Sequence, residues 1–297
     1  MSDKPEIGFI GLGLMGSAMV ERLQSLGYSL TVMANRSRAN VEAAVARGAS
    51  EVATPREVAA ASDYVLLCMD TSASVESRMR GPDGVIAGLR AGAIVVDFGT
   101  SLPGSTRMLA EEVAAAGGAM LDGPLGRTPA QARDGLLNIM GAGDQAAYAK
   151  AKPLLDDLGE NVFHVGPSGA GHTLKLINNF FAMTTACSMA EAFAMADLAG
   201  IERQTLFDVM GAGPTRSGMM EFIKNYAVEG QIDLAFSVSN ARKDVGYYAQ
   251  MADDLGVPSQ MSGAAKATLG LARSTGFGDK MVPEMTDWFA ELFKGKP

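Results

Sequence analysis

The chain has 297 residues, 47% of them apolar and 20% charged, with a formal net charge of −8. That length can bury a sizeable core in one or two domains without disulfide or metal staples. The negative balance excludes nucleic acid as a general partner, because phosphate backbones would be repelled, so an anionic ligand must be met by local donors. In chain order, Ile7 to Ile10 reads as a strand, Met15 to Leu26 as a helix, Ser29 to Ala34 as a second strand and Val41 to Arg47 as a helix. Tyr64 to Met69 and Ala93 to Asp97 are apolar strands, Thr106 to Ala116 has helical spacing, and Ala119 to Asp122 opens another strand. This alternation predicts βαβ units and a mainly parallel sheet covered on both faces. From about Gly171 the strand signals fade. Leu174 to Ala199 lacks proline and glycine and stops at Gly200, and helical stretches follow at Gln204 to Met210, Ala241 to Leu255, Gly263 to Arg273 and Pro283 to Phe293. The predicted architecture is an α/β domain over residues 1–166 and an all-α domain over 167–297, joined near the glycine-rich run Gly166 to Gly171.

Cys68 and Cys187 are the only cysteines and lack C-x-x-C spacing, which predicts two buried free thiols in a reducing cytoplasm. His164 and His172, the only histidines, lack metal-ligand spacing, so no metal is expected. The start of the chain lacks a basic segment followed by an apolar run, so no signal peptide is expected. The richest apolar stretch, Asn179 to Ala199, is broken by Thr184, Thr185, Ser188, Glu191 and Asp197, which predicts a buried helix and no membrane span.

Gly11-Leu12-Gly13-Leu14-Met15-Gly16 is a G-x-G-x-x-G run between the first predicted strand and helix. There Gly11 permits a tight turn, Gly13 lets a pyrophosphate approach the backbone and Gly16 allows close helix–sheet packing. The helix start offers its N–H groups and positive dipole end to phosphates. This predicts a Rossmann-type dinucleotide site. About 20 residues on, where an NAD-type site carries an acid for the ribose hydroxyls, the sequence has Asn35-Arg36-Ser37. Asn35 does not repel a 2′-phosphate, Arg36 offers a doubly donating cation and Ser37 a hydroxyl, so NADP(H) is preferred, with NAD(H) as the alternative. Met69, closing the apolar strand that begins at Tyr64, is placed with the cofactor-binding residues.

Lys175 and Asn179 are four apart on the long predicted helix and share a face, with Asn178 beside them. An ammonium withdrawn from water releases its proton more readily, which suits an acid/base group near neutral pH. Spacing alone fits a solvent-facing polar stripe equally well.

Taken in order, these motifs resemble the β-hydroxyacid dehydrogenase family, which includes 3-hydroxyisobutyrate dehydrogenase. The N-terminal fingerprint is met by Gly11, Gly13 and Gly16, and the family's G-x-G-x-x-x-K-x-x-x-N by Gly169, Gly171, Lys175 and Asn179. A Lys-Asp pair follows at Lys243-Asp244, and a looser Gly-x-Gly-Asp segment at Gly276, Gly278 and Asp279. The resemblance implies a Rossmann-type domain joined to a helical domain through one long helix, assembling as a homodimer or homotetramer. It also implies that Lys175 is the catalytic acid/base, that Asn179 orients substrate, that Lys243 lies by the cofactor and that Thr100 lines the nicotinamide side.

Two departures from the family pattern bear on substrate. The usual Asp-x-Ser-Thr reads Asp97-Phe98-Gly99-Thr100, and the substrate loop reads Asp122-Gly123-Pro124-Leu125-Gly126-Arg127-Thr128. Gly-Arg-Thr here, with Lys-Leu-Ile-Asn-Asn on the helix, resembles the 3-sulfolactaldehyde reductase branch. A sulfonate has three acceptor oxygens, for which Gly126, Arg127, Thr128, Asn178 and Asn179 could provide donors; equally, Arg127 could pair with a nearby carboxylate such as Asp134. That branch carries an acid where this chain has Asn35. The implied reaction is reversible hydride transfer between nicotinamide and a small anionic aldehyde, 3-sulfolactaldehyde first, with succinic semialdehyde/4-hydroxybutyrate or another 3-hydroxyacid as alternatives. An imine reductase or a non-catalytic NADP-binding homologue are the rivals, and both commonly lack the lysine that this chain keeps.

Overall fold

Runs of aliphatic residues in the first half pair edge to edge into a nine-stranded sheet among the residues described by the computed structural model, 4–35 and 38–295. The strands are β1 (Ile7–Ile10), β2 (Leu30–Met33), β3 (Ser50–Val52), β4 (Tyr64–Leu67), β5 (Ile94–Asp97), β6 (Ala119–Asp122), β7 (Leu125–Gly126), β8 (Leu137–Gly143) and β9 (Gly159–His164). Their order is β3-β2-β1-β4-β5-β6-β8-β7, with β9 paired to β8. The first six strands are parallel, β8 runs antiparallel to β6 and β7, and β9 runs parallel to β8. The order reverses between β1 and β4, and in open parallel sheets the crevice beyond the carboxyl ends at such a reversal is where ligands bind.

Strand side chains alternate between the two faces. Ile7, Phe9, Leu66, Val96 and Leu121 enter one buried cluster, and Ile10, Val65, Leu67, Val95 and Met120 enter another. Both faces are therefore covered, which is why these strands read as unbroken apolar runs. The covering helices are α1 (Leu14–Ser25), α2 (Arg38–Ala46), α3 (Pro55–Ala60), α4 (Ser72–Met79), α5 (Val85–Gly88), α6 (Pro103–Ala115), α7 (Pro129–Arg133) and α8 (Gln145–Leu158).

Residues 137–164, to which the sequence assigns no element, form β8, α8 and β9. Gly141-Ala142-Gly143 and Pro153 are ordinarily breakers. Here Gly141 is required by packing, since a Cβ would lie 2.6 Å from the Tyr148 ring, and α8 carries Pro153 in its interior.

The chain divides into two packed units, one ending at Lys175 and the other beginning at Leu176. Helix α9 (Ala170–Leu198) begins in the first and continues in the second. The second unit adds α10 (Arg203–Gly211), α11 (Gly218–Glu229), α12 (Val238–Asp254), α13 (Gln260–Ala272) and α14 (Met285–Phe293), around a core that includes Phe193, Ile223, Val245, Leu269 and Trp288. Arg203 pairs with Asp197 at 2.7 Å and Asp287 at 3.0 Å, tying α9, α10 and α14 together. Among the described residues no helix is long and apolar enough to cross a membrane, and no group of side chains is arranged to hold a metal ion.

Candidate active site

The turn after β1 is built to the requirements of a dinucleotide. Gly11 has φ +101°, and a Cβ there would lie 2.3 Å from the Cys68 carbonyl oxygen. At Gly16 a Cβ would lie 2.0 Å from the Gly11 carbonyl oxygen, so helix and turn touch backbone to backbone. Gly13 differs: a Cβ there would meet nothing within 4 Å. Its missing side chain serves neither turn nor packing and leaves open space above the start of α1, which has no capping side chain and no acid in its first turn. These are the features a pyrophosphate needs, and the residues fit a bound nicotinamide dinucleotide. Gly13→Ala should accordingly leave the apo-protein's Tm within about 2 °C of wild type. It should weaken dinucleotide binding by about tenfold or more, the worth of one charge-assisted hydrogen bond. Gly16→Ala should lower Tm as well; thermal melts with and without cofactor separate the two.

A cavity of about 220 Å³ opens over this turn, lined by Gly11, Leu12, Gly13, Asn35, Met69 and Asp70 among others. Leu14 is exposed and Met15 half-buried at the helix start. Asn35 follows β2, and its side-chain oxygen accepts a 2.8 Å hydrogen bond from the Arg78 guanidinium. Arg36 and Ser37, expected to meet the 2′-phosphate, lie outside the described residues. Arg38 is turned away to Glu51 at 2.6 Å. Cys68 lies against the cavity, where burial, with the Asp97 carboxylate adding to it, pushes its thiol up to about 12. Burial does the same to Cys187. Both stay protonated and neither suits nucleophilic work.

The first turn of α9 is held by the segment that follows β5 and β6. Asp122, fully buried at the end of β6, accepts from the Gly169 N–H at 2.8 Å and the His172 N–H at 2.9 Å, capping the helix from a distant part of the chain. Gly169 has φ +87°, and a Cβ on Gly171 would lie 2.3 Å from the Met140 carbonyl oxygen. The two glycines of the second motif thus let the helix start press onto the sheet. Three residues past Asp122, the Leu125 carbonyl accepts a 2.7 Å hydrogen bond from Lys175 Nζ. That carbonyl is available because Met140 donates to Pro124 at 3.1 Å, which leaves the next pair along, Leu125 opposite Ile139, facing away from the ladder. One short segment therefore grips both the helix end and the lysine.

Beside it, Asp97 at the end of β5 accepts from Gly99 N–H and the Ser101 hydroxyl, each at 2.8 Å, shaping the turn that presents Thr100 beyond the carboxyl edge of the sheet. His172 is buried, with Nδ1 2.7 Å from the Thr106 hydroxyl and Nε2 3.7 Å from Asp97. Gly126, the last residue of β7, is half-buried, and Arg127 in the loop that follows has φ +81°. The Arg127 guanidinium donates to the Leu136 carbonyl at 2.6 Å and pairs with Glu160, not with Asp134. The Thr128 hydroxyl caps α7, in a reciprocal box with Gln131. Both side chains expected at substrate thus have partners within the protein.

In the second unit, Asn178 donates to Asn179 at 3.2 Å, and Asn179 donates to Asp244 at 2.7 Å. Asp244 is buried and pairs with Lys243 at 3.0 Å, while Phe180 and Tyr248 stack at 4.1 Å beside them. Asn179 is thereby satisfied where it is buried, Asn178 beside it is exposed, and the Lys-Asp pair proves to be one connected network with them. Sequence reasoning missed Asp122 and Asp244 as functional residues. Each was visible only as an acid within a motif, and its partner lies 47 to 65 residues away.

A dinucleotide turn at the reversal of a parallel sheet, with an anchored lysine at the head of a long helix, defines a nicotinamide-dependent oxidoreductase. Residues 6–166 match the NAD binding domain of 6-phosphogluconate dehydrogenase, and residues 169–288 match the NAD-binding domain of NADP-dependent 3-hydroxyisobutyrate dehydrogenase. The chain is 32% identical to 2-(hydroxymethyl)glutarate dehydrogenase of Eubacterium barkeri, covering 94% of this chain and 92% of that one. It is 31% identical to 3-sulfolactaldehyde reductase of Escherichia coli (strain K12), covering 96% and 94%. The crystal structure of a 3-hydroxyisobutyrate dehydrogenase from Salmonella typhimurium superposes with a TM-score of 0.83 at 27% identity, over 96% of this chain and all of that one. The chain belongs to the 3-hydroxyisobutyrate dehydrogenase-like family of NAD(P)-dependent hydroxyacid dehydrogenases.

Proposed function

We propose that the protein interconverts a short aldehyde carrying a terminal anion with the corresponding alcohol, using NADP(H) in preference to NAD(H). The observation that carries this reading is the 2.7 Å bond fixing Lys175 Nζ to Leu125 O, on a helix whose start is itself clamped by Asp122. A bound dinucleotide supplies or accepts the hydride. Lys175 gives its proton to the carbonyl oxygen as that oxygen gains charge, and takes it back in the oxidative direction. Asn179, its amide oriented by Asp244, hydrogen-bonds the substrate, and Asn178 and Thr100 are likewise assigned to substrate. Lys243 and the fingerprint residues Gly11 to Gly16 serve the cofactor, together with Asn35, Arg36, Ser37 and Met69. Residues 1–166 form the dinucleotide-binding part, and residues 167–297 the substrate and oligomerisation part of a cytoplasmic homodimer or homotetramer.

3-Sulfolactaldehyde is the first substrate of choice, on the strength of Gly126-Arg127-Thr128 and the 31% identical relative that bears that name. The Arg127–Glu160 pair is no barrier. With side chains 27% and 51% exposed, it is worth about 0–1 kcal/mol, which a sulfonate or carboxylate can outbid. The absence of an acid at Asn35 and the match to an NADP-dependent family domain support the cofactor preference. Cofactor oxidation with 3-sulfolactaldehyde, succinic semialdehyde and a cyclic imine, each with NADPH and NADH, tests the proposal. Turnover of an anionic aldehyde with NADPH is expected; turnover of the imine alone, or of none, overturns it.

A further inference from the structure

The dinucleotide cavity does not end at Asn35. A second cavity of about 250 Å³ adjoins it, sharing Asn35 and Met69 and lined otherwise by Ala73, Ser74, Ser77 and Arg78 of α4. In a sheet of this order the residue after β2 meets the adenosine ribose, so this second cavity lies at the adenosine end of the site. Arg78 stands out among the cations on this side of the sheet. Arg38 is neutralised by Glu51 and Arg80 by Glu112, both at 2.6 Å, whereas Arg78 has no carboxylate partner among the described residues. Its one hydrogen bond there goes to the uncharged side-chain oxygen of Asn35. Asp70, the carboxylate lining the neighbouring cavity, accepts from Ser74 Oγ at 2.7 Å. In a chain of net charge −8, a half-buried and unneutralised guanidinium opening on a cavity is a site for an anion.

We infer that Arg78 is a specificity-determining residue for the cofactor, a cation for the adenosine 2′-phosphate beside Asn35. The geometry gives it two linked effects. By taking the Asn35 amide oxygen, Arg78 leaves the Asn35 NH₂ group as the face presented to the ribose, a donor for phosphate oxygens. The guanidinium's remaining N–H groups then add the charge that only a phosphorylated ribose rewards. Spacing in the sequence could not reveal this, because Arg78 lies 43 residues beyond Asn35 and on a different βα unit.

The inference rests on the NADP(H) reading above, and calorimetric titration of the purified protein with NADPH, NADH, 2′,5′-ADP and 5′-AMP separates the two. Arg78→Gln should weaken NADPH and 2′,5′-ADP by about tenfold or more, the loss of one charge-assisted contact, and leave NADH and 5′-AMP within about twofold. Arg78→Lys, which keeps the charge and loses the fork, should fall between. Unchanged NADH binding also serves as the control for folding. Equal losses for both dinucleotides would mean that Arg78 packs against the base, and would overturn the inference. A wild-type preference for 2′,5′-ADP that survives in Arg78→Gln overturns this inference alone. A wild type that binds 2′,5′-ADP no more tightly than 5′-AMP overturns it together with the cofactor reading.

Discussion

Lys175→Ala should bind dinucleotide with near-wild-type affinity and lose about 10²–10⁴-fold in kcat, the span of a single well-placed acid/base group. The expectation follows from position: the side chain is held at 2.7 Å by a main-chain carbonyl, and the glycine turn that carries the phosphates lies on other elements of the same sheet. Stopped-flow single turnover with NADPH and the best aldehyde would isolate the chemical step, while calorimetry follows cofactor binding separately. Activity within about tenfold of wild type would remove the lysine from the mechanism. A parallel loss of cofactor affinity would mean that the substitution had disturbed the first turn of α9 instead.

The second large effect is expected at Asp122, which need not touch any reactant. Its carboxylate is the acceptor for two backbone N–H groups at the buried start of α9. Asp122→Ala leaves both without an acceptor, at about 1–3 kcal/mol each. Tm should fall by roughly 4 °C or more, since about 1 kcal/mol moves a unit of this size by some 2–4 °C. Asp122→Asn keeps one accepting oxygen and should fall about half as far. Asp122 is a positioning residue, so the kinetic signature should be a lower kcat with KM for the aldehyde changed less, and Asn should recover part of the rate that Ala loses. A Tm loss with kcat untouched would show that the cap stabilises the helix without aiming Lys175.

Much of this was legible in the sequence because the signals are local. The G-x-G-x-x-G run predicted a turn with three separate demands on its glycines, and the structure has a positive φ at Gly11, a backbone contact at Gly16 and open space at Gly13. The apolar runs predicted parallel strands buried on both faces, and the helical pattern beginning near Gly171 became α9. What escaped depends on contacts between distant segments. The pattern assigns no element to residues 137–164 because nothing nearby in sequence announces the Tyr148 ring beside Gly141 or the packing that sustains α8 around Pro153. The carboxylate that pairs with Arg127 is Glu160, which enters from β9, an element the pattern did not reveal, so spacing offered only the nearer Asp134. Arg78 and Asn35 meet only when β2 and α4 come together at the reversal of the sheet.

The lysine's anchor is made of main-chain oxygen. A change of codon at position 125 or 140 alters a side chain and leaves in place the carbonyls against which Lys175 and Gly171 are set. On the proposed function, exchanging the side chains at 126–128 would suit a sulfonate, a carboxylate or a longer acid, with loss of a surface ion pair and a helix cap. On that same function, a scaffold arranged in this way retargets its chemistry among related acids while the proposed proton donor keeps one fixed address.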